Sequence, residues 1–298
     1  MTHKPNDYEQ YWQSVSEELA ALPLAAELTE LPMRSNAHGQ VFALKYTSLD
    51  AYRIFAYFCV PNGTGRFPCL VQMPRYGSVN HIPSYEARQN YVCIQVCHRG
   101  QRLSDSPYAA AYPGLLTDGV ENAAHYIYRG IVADCMRAIE FVSLCPEVNP
   151  NRISVVGNEL ALLAAAHIKA GVSIDSVIYH PELFYNAVAM AALTDSYPLE
   201  EINDYLRAHP AQAAAVRKTL SYFNPLHGAE LISATTLLVS GNDKDLFSPE
   251  RMQPLAAALG GPVERRISEH SSYRDGAFEA AWLAQRHGVP TVLPNHWR

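Results

Sequence analysis

The residues with the most pointed chemistry stand in one stretch: Ile153, Ser154, Val155, Val156, Gly157, Asn158, Glu159, Leu160 and Ala161. A β-branched run meets a glycine, turns within a few residues and continues into the helix-forming residues 159–170. A strand, tight turn and helix of this kind lift the side chain at the apex of the turn, the geometry that a G-x-S-x-G sequence gives to a nucleophilic serine. Here the apex is Glu159, flanked by Gly157 and Ala161 at the two places where a large side chain would clash. No serine elsewhere is bracketed by glycines at that spacing, so no second turn supplies a serine nucleophile.

In an open parallel sheet the site lies beyond the carboxyl ends of the strands. The loop after a strand at 235–240 carries Asn242, Asp243, Lys244 and Asp245. A carboxylate there would orient a histidine and stabilise its protonated form. Asp245, four residues before Pro249, is the choice, and Asp243 reads as a solvated turn residue. After a strand at 262–267 comes His270, the candidate general base. Histidines in such loops are commonly plain surface residues, but the order 159, 245, 270 along successive strands favours a catalytic reading. After a strand at 68–73, the residues Pro74, Arg75, Tyr76 and Gly77 either make an ordinary turn or offer a backbone N–H that builds an oxyanion hole with that of Leu160. After a strand at 91–96, His98 and Arg99 place a cation near the site or tie down a loop. His180 and Glu182, ending another strand, are pocket candidates, whereas His125 and His167 are expected to pack.

The elements that must position these groups alternate. Strands are expected at 68–73, 91–96, 153–156, 174–179, 235–240 and 262–267, and helices at 131–144, 159–170 and 276–286. That pattern implies an α/β fold with a mostly parallel sheet and helices on both faces. Ile131, Cys135, Ile139 and Val142 recur on one helical face. A helix at 8–22 and a proline-marked extended segment to residue 35 belong to an N-terminal extension, 1–40, followed by a hairpin at 41–47 and 52–60. Residues 182–223, with helical pieces at 199–207 and 211–222, form a candidate lid. One domain, 1–298, carries that insertion.

Hydrophobic residues make up 48 % and charged residues 17 % of the chain, as in a globular protein with a large core. Its 29 acidic and 23 basic residues are interspersed, which argues against nucleic acid or an anionic membrane as a partner. No signal segment is visible at the polar start, and no apolar run reaches the roughly 20 residues of a membrane span. Cys59, Cys69, Cys93, Cys97, Cys135 and Cys145 form no C-x-x-C pair and stand near no histidine at zinc-ligand spacing. The expectation is a cytoplasmic protein with reduced core thiols and no metal.

Several stretches together resemble the acetyl xylan esterase and cephalosporin C deacetylase family of α/β-hydrolases. They are residues 125–142 (HYIYRGIVADCMRAIEFV), 146–157 (PEVNPNRISVVG), 201–207 (EINDYLR) and 219–224 (TLSYFN), with Arg99, Gly100, Gln101 and Tyr76, Gly77 matching two shorter motifs. The resemblance spans about residues 8–290. Carried over by position, the family's serine falls on Glu159, its aspartate on Asp245, its histidine on His270 and its oxyanion-hole amides on Tyr76 and Leu160. Departures cluster at the site: Glu159, Leu160 for the usual Gln, Ala161 for Gly, Pro74 and Arg75 for His and Gly, and one residue inserted between Gly241 and Asp245. The resemblance also implies deacetylation of small acetylated sugars, no metal or organic cofactor, and a ring-like homo-oligomer, a hexamer.

Three functions follow. A serine esterase needs an alcohol that forms an acyl-enzyme, so with Glu159 at that position ordinary esterase activity is expected to be lost or strongly altered. A hydrolase that uses Glu159 as nucleophile or general base must accommodate a side chain about one methylene longer than aspartate, and a shift of about 1 Å can cost about 100-fold. In a non-catalytic binding or assembly protein, Glu159 would be locked by His270 or Arg75.

Overall fold

The computed structural model describes residues 3–77, 79–104 and 110–294, so the first two residues of the extension lie outside the described residues. The chain runs α1 (Tyr8–Ala20), β1 (Glu27–Glu30), β2 (Gly39–Thr47), β3 (Arg53–Pro61), β4 (Phe67–Gln72), α2 (Ala87–Asn90), β5 (Val92–Cys97), α3 (Ile127–Leu144), β6 (Val148–Gly157), α4 (Glu159–His167) and β7 (Ser176–Tyr179). The helical insertion follows as α5 (Ala187–Ala191), α6 (Glu200–Ala208) and α7 (Ala213–Tyr222), and the chain closes with β8 (Thr235–Ser240), α8 (Pro249–Ala258), β9 (Val263–Ile267) and α9 (Ser272–His287).

Strands β1 to β9 form one sheet in the order β1-β2-β3-β5-β4-β6-β7-β8-β9. The expected hairpin is the antiparallel pair β2 and β3, and β3 also runs antiparallel to β5. From β5 to β9 every pairing is parallel. Strand β6 lies inside that parallel block, between β4 and β7, and its carboxyl end at Gly157 opens where the site loops gather.

Side chains alternate across the sheet with the two-residue period of a strand. Leu70, Cys93, Ile178, Leu237 and Val239 face one way and pack with Leu283 of α9. Val71, Ile94, Val155, Val177 and Leu238 face the other way, in the core shared with α1, α3 and α4. Helix α1 contributes Tyr8, Trp12, Val15 and Leu19, all buried at helical spacing. Trp12 stacks on His167 at 4.5 Å between ring centroids, and its indole N–H donates to the Tyr222 carbonyl at 3.0 Å. His167 therefore packs, and burial pushes its imidazole down to about 3.

The structure differs from the sequence expectation at several elements. The extended segment before residue 35 contains β1, an edge strand pairing antiparallel with β2. Helix α3 starts at Ile127 and α9 at Ser272, each four residues earlier than expected. Helix α4 ends at His167, three residues early, and Gly171 follows in the left-handed region at φ +92°. Helix α8 was not expected at all. It is capped by Ser248, whose hydroxyl accepts from the Arg251 N–H, and has Pro249 in its first turn. Among the described residues no helix is long and apolar enough to cross a membrane. Five of the six cysteines are buried, and Cys145 is half-buried.

Candidate functional site

Close packing fixes the turn after β6. A Cβ on Gly157 would stand 2.6 Å from Cβ of Met73, so only glycine lets the end of β6 lie against the loop after β4. Gly157→Ala is expected to destabilise the fold by about 1–3 kcal/mol through overpacking, measurable by urea denaturation. Asn158 then acts as the N-cap of α4: its Oδ1 accepts the Leu160 N–H at 3.0 Å. Its Nδ2 donates to Glu182 Oε2 at 2.7 Å, bridging the turn to the loop after β7.

Glu159 is the first residue of α4, and it is not among the residues with positive φ. The turn is thus an ordinary capped helix start, and the side chain that the sequence places at its apex is not lifted into solvent but is 0 % exposed. Strand pairing explains where it goes. Gly157 lies opposite Tyr179 in the β6–β7 register, and the His180 N–H donates to the Gly157 carbonyl at 2.9 Å, which brings the loop after β7 across the turn. The Tyr179 hydroxyl and the Glu182 N–H each donate to Glu159 Oε1 at 3.0 Å, and the Leu183 N–H donates to Oε2 at 2.8 Å. Burial nevertheless outweighs these donors and raises the Glu159 carboxyl above its ordinary value. The partners expected for a locked Glu159, Arg75 or His270, are not the ones it has. Arg75 is exposed, and His270 engages other groups.

His270 and Asp245 do meet. His270 Nε2 lies 2.8 Å from Asp245 Oδ2 and 3.1 Å from Asn242 Nδ2, while Asp243 is exposed. The same Oδ2 accepts the Asn242 N–H at 2.6 Å, closing the loop after β8. In a hydrolytic triad the carboxylate holds Nδ1 and leaves Nε2 for the nucleophile. Here the carboxylate takes Nε2. The imidazole is 57 % exposed, and its backbone sits in the left-handed region at φ +53°.

The remaining candidates separate into two groups. Tyr76 touches the helical insertion: its hydroxyl donates to Glu201 Oε1, and Glu201 Oε2 accepts the Leu116 N–H at 2.9 Å. The Tyr76 N–H makes no hydrogen bond among the described residues, whereas the Leu160 N–H, its expected partner in an oxyanion hole, is already bonded to Asn158. His180 Nε2 faces Glu279 at 3.3 Å, and Glu182 is half-buried at Asn158. His98, expected as a pocket residue, is instead 3 % exposed, and its Nδ1 lies 2.6 Å from the Arg99 carbonyl oxygen. Burial pushes its imidazole down to about 4. Arg99 ties down the loop, with Nε and Nη2 donating to Asp134 at 3.1 and 2.9 Å. Gln101 completes the support of the loop after β4 by donating to the Arg75 and Gly77 carbonyls at 2.8 and 2.7 Å.

Sequence reasoning missed Asn158, Tyr179 and Asn242. An asparagine immediately before a helix-forming run is a readable cap signal. Tyr179 carried no signal, because its role depends on the β6–β7 register. Among the described residues no group of three or more His, Cys, Asp or Glu is arranged to hold a metal ion.

Two solved structures share the fold along nearly the whole length. Acetyl xylan esterase 1 from Thermoanaerobacterium sp. JW/SL YS485 superposes with a TM-score of 0.82 at 18 % identity, and acetyl xylan esterase from Paenibacillus sp. R4 with 0.81 at 22 %; in each case 96 % of both chains is covered. The central sheet, its flanking helices and the helical insertion thus follow the α/β-hydrolase fold. The acetyl esterase Axe7A of Xylanibacter ruminicola is 19 % identical over 305 residues, covering 96 % of this chain and 68 % of its own. Residues 1–256 match the family described as acetyl xylan esterase (AXE1), a match that takes in β1 to β8 and the turn at Glu159, and the chain belongs to that family.

Proposed function

We propose that this chain is a member of the acetyl xylan esterase family that has given up ester hydrolysis at residue 159, and that it binds a small acylated sugar or similar molecule without turning it over. Position 159 is where the family's serine falls, and the observation that carries the reading is that Glu159 is fully buried with three donors on its carboxylate. A side chain held in this way neither reaches an ester nor takes a proton from water. Two further features agree with it. The Leu160 amide is spent on Asn158, and Asp245 occupies the histidine nitrogen that a nucleophile would need.

One observation favours a hydrolase that uses Glu159 as a carboxylate base: its carboxyl is raised, the direction such a base requires. A single assay separates the two. Hydrolysis of 4-nitrophenyl acetate by the wild type is expected to match that of Glu159→Ala, and Glu159→Ser alone is expected to stay inactive because Asn158 still caps the Leu160 amide. Asn158→Gly/Glu159→Ser, which frees that amide, is expected to exceed the single Ser variant by about 100-fold, the worth of one oxyanion donor. Wild-type turnover that disappears in Glu159→Ala would overturn the proposal in favour of the carboxylate base. Calorimetry with acetylated xylobiose reads the binding half, and the absence of heat would remove it.

A further inference from the structure

A cleft of about 390 Å³ that Glu159 does not line opens where the segment before β2, the middle of β3 and the loops after β4 and β5 converge. Its walls include Arg34, His81, Arg88, Arg102, Tyr57 and Tyr85, and none of the described residues that line it is acidic. In a chain whose formal charge is -6, this is a local concentration of positive charge, not a reflection of the whole.

The guanidinium of Arg88 gives the cleft its chemical meaning. The residue is 5 % exposed, and its side chain donates to the Ser84 carbonyl at 3.4 Å and to the Arg34 carbonyl at 3.1 Å, with Tyr85 stacked beneath it at 4.3 Å. Those partners are neutral. A buried charge is ordinarily matched by an opposite one, and no carboxylate meets Arg88 among the described residues. Among the described residues Arg102 is likewise held by a carbonyl alone, donating to Asn80 O from Nε and Nη2 at 3.2 and 2.9 Å, and its backbone sits in the left-handed region at φ +49°. A non-glycine residue in that region carries a local conformational cost. The side chains of Arg34 and His81 make no hydrogen bond or ion pair among the described residues.

We propose that this cleft is a binding site for a small organic anion of about monosaccharide size, whose phosphate or carboxylate group is held by Arg34, Arg88 and Arg102 and whose body lies against Tyr57 and Tyr85. Guanidinium groups bind such oxyanions by paired, charge-assisted hydrogen bonds. The volume lies within the range of small-molecule sites. None of the cleft's lining residues is Glu159, Asp245 or His270, so the proposal stands apart from the fate of esterase activity.

The test is calorimetry on the full chain at fixed ionic strength with inorganic phosphate, glucose 6-phosphate, glucuronate and neutral glucose. Arg34→Gln/Arg102→Gln is the informative variant, since both side chains can be changed without emptying the core around Arg88. The expected result is saturable binding of a phosphate or carboxylate probe, no binding of glucose, and affinity at least about 10-fold weaker in the double variant, which melts like the wild type without ligand. Binding of either phosphate compound identifies phosphate as the head group, and binding of glucuronate alone identifies carboxylate. Affinity unchanged in the double variant, or no charged probe binding more tightly than glucose, would overturn the proposal.

Discussion

Glu159→Ala is expected to lower the stability of the fold by roughly 2–4 kcal/mol, because it removes the acceptor of three hydrogen-bond donors. The change strands the Tyr179 hydroxyl and the Glu182 and Leu183 amides, and a buried donor left without an acceptor costs about 1–3 kcal/mol. A void left where the carboxylate was adds to that cost. The pH dependence has a definite sign. Burial raises the folded carboxyl above its ordinary value near 4.5, so the stability linked to this group is fully present below that value and is lost as pH rises through the folded one. Glu159→Gln does not titrate. Urea denaturation at several pH values should therefore show the wild type losing stability relative to Glu159→Gln between acid and neutral pH. The opposite slope would mean that the three donors, not burial, set the charge of Glu159.

How much of this was readable in the sequence depends on which kind of partner each residue has. The strand, turn and helix around residue 157 were legible because a β-branched run, a glycine and a helix-forming run follow one another directly. Edge strand β1 was not: all four of its residues, Glu27 to Glu30, are exposed, so no apolar alternation marks it, and only pairing with β2 makes it a strand. Helix α8 was overlooked because Pro254 interrupts its pattern, although Ser248, Pro249 and Glu250 spell a helix start. The choice of Asp245 over Asp243 came from spacing alone, and the structure puts Asp245 against His270. What spacing could not show is the ring nitrogen used. Nor could it show the burial of Glu159, because two of the three donors are backbone amides beyond the next strand, and an amide N–H leaves no mark in a sequence.

The same limit applies to Asp134→Ala, which is expected to cost about 3–5 kcal/mol. Asp134 is 0 % exposed in the middle of α3, a position where the apolar face of a helix would ordinarily carry a hydrophobic side chain. Its carboxylate accepts the Arg99 backbone N–H as well as the guanidinium, so it fixes both the side chain and the chain path of the loop after β5. Gly130 makes room for that guanidinium, since a Cβ there would stand 2.2 Å from Arg99 Cζ. Removing one partner of a buried pair leaves the other charge uncompensated, which is the source of the large cost. Asp50 offers little relief. It meets Arg99 at 3.4 Å, but its side chain is 77 % exposed, and exposed ion pairs contribute little. The effect should reach the site as well, because Gln101, two residues from Arg99, holds the carbonyls of Arg75 and Gly77. Amide hydrogen exchange in Asp134→Ala is therefore expected to quicken through residues 75–77 and 98–104, with Asp50→Ala as the control that leaves both loops protected. An Asp134→Ala protein within about 1 kcal/mol of the wild type would mean that Arg99 finds its counter-charge elsewhere, and that the loops beside Glu159 are positioned by packing alone.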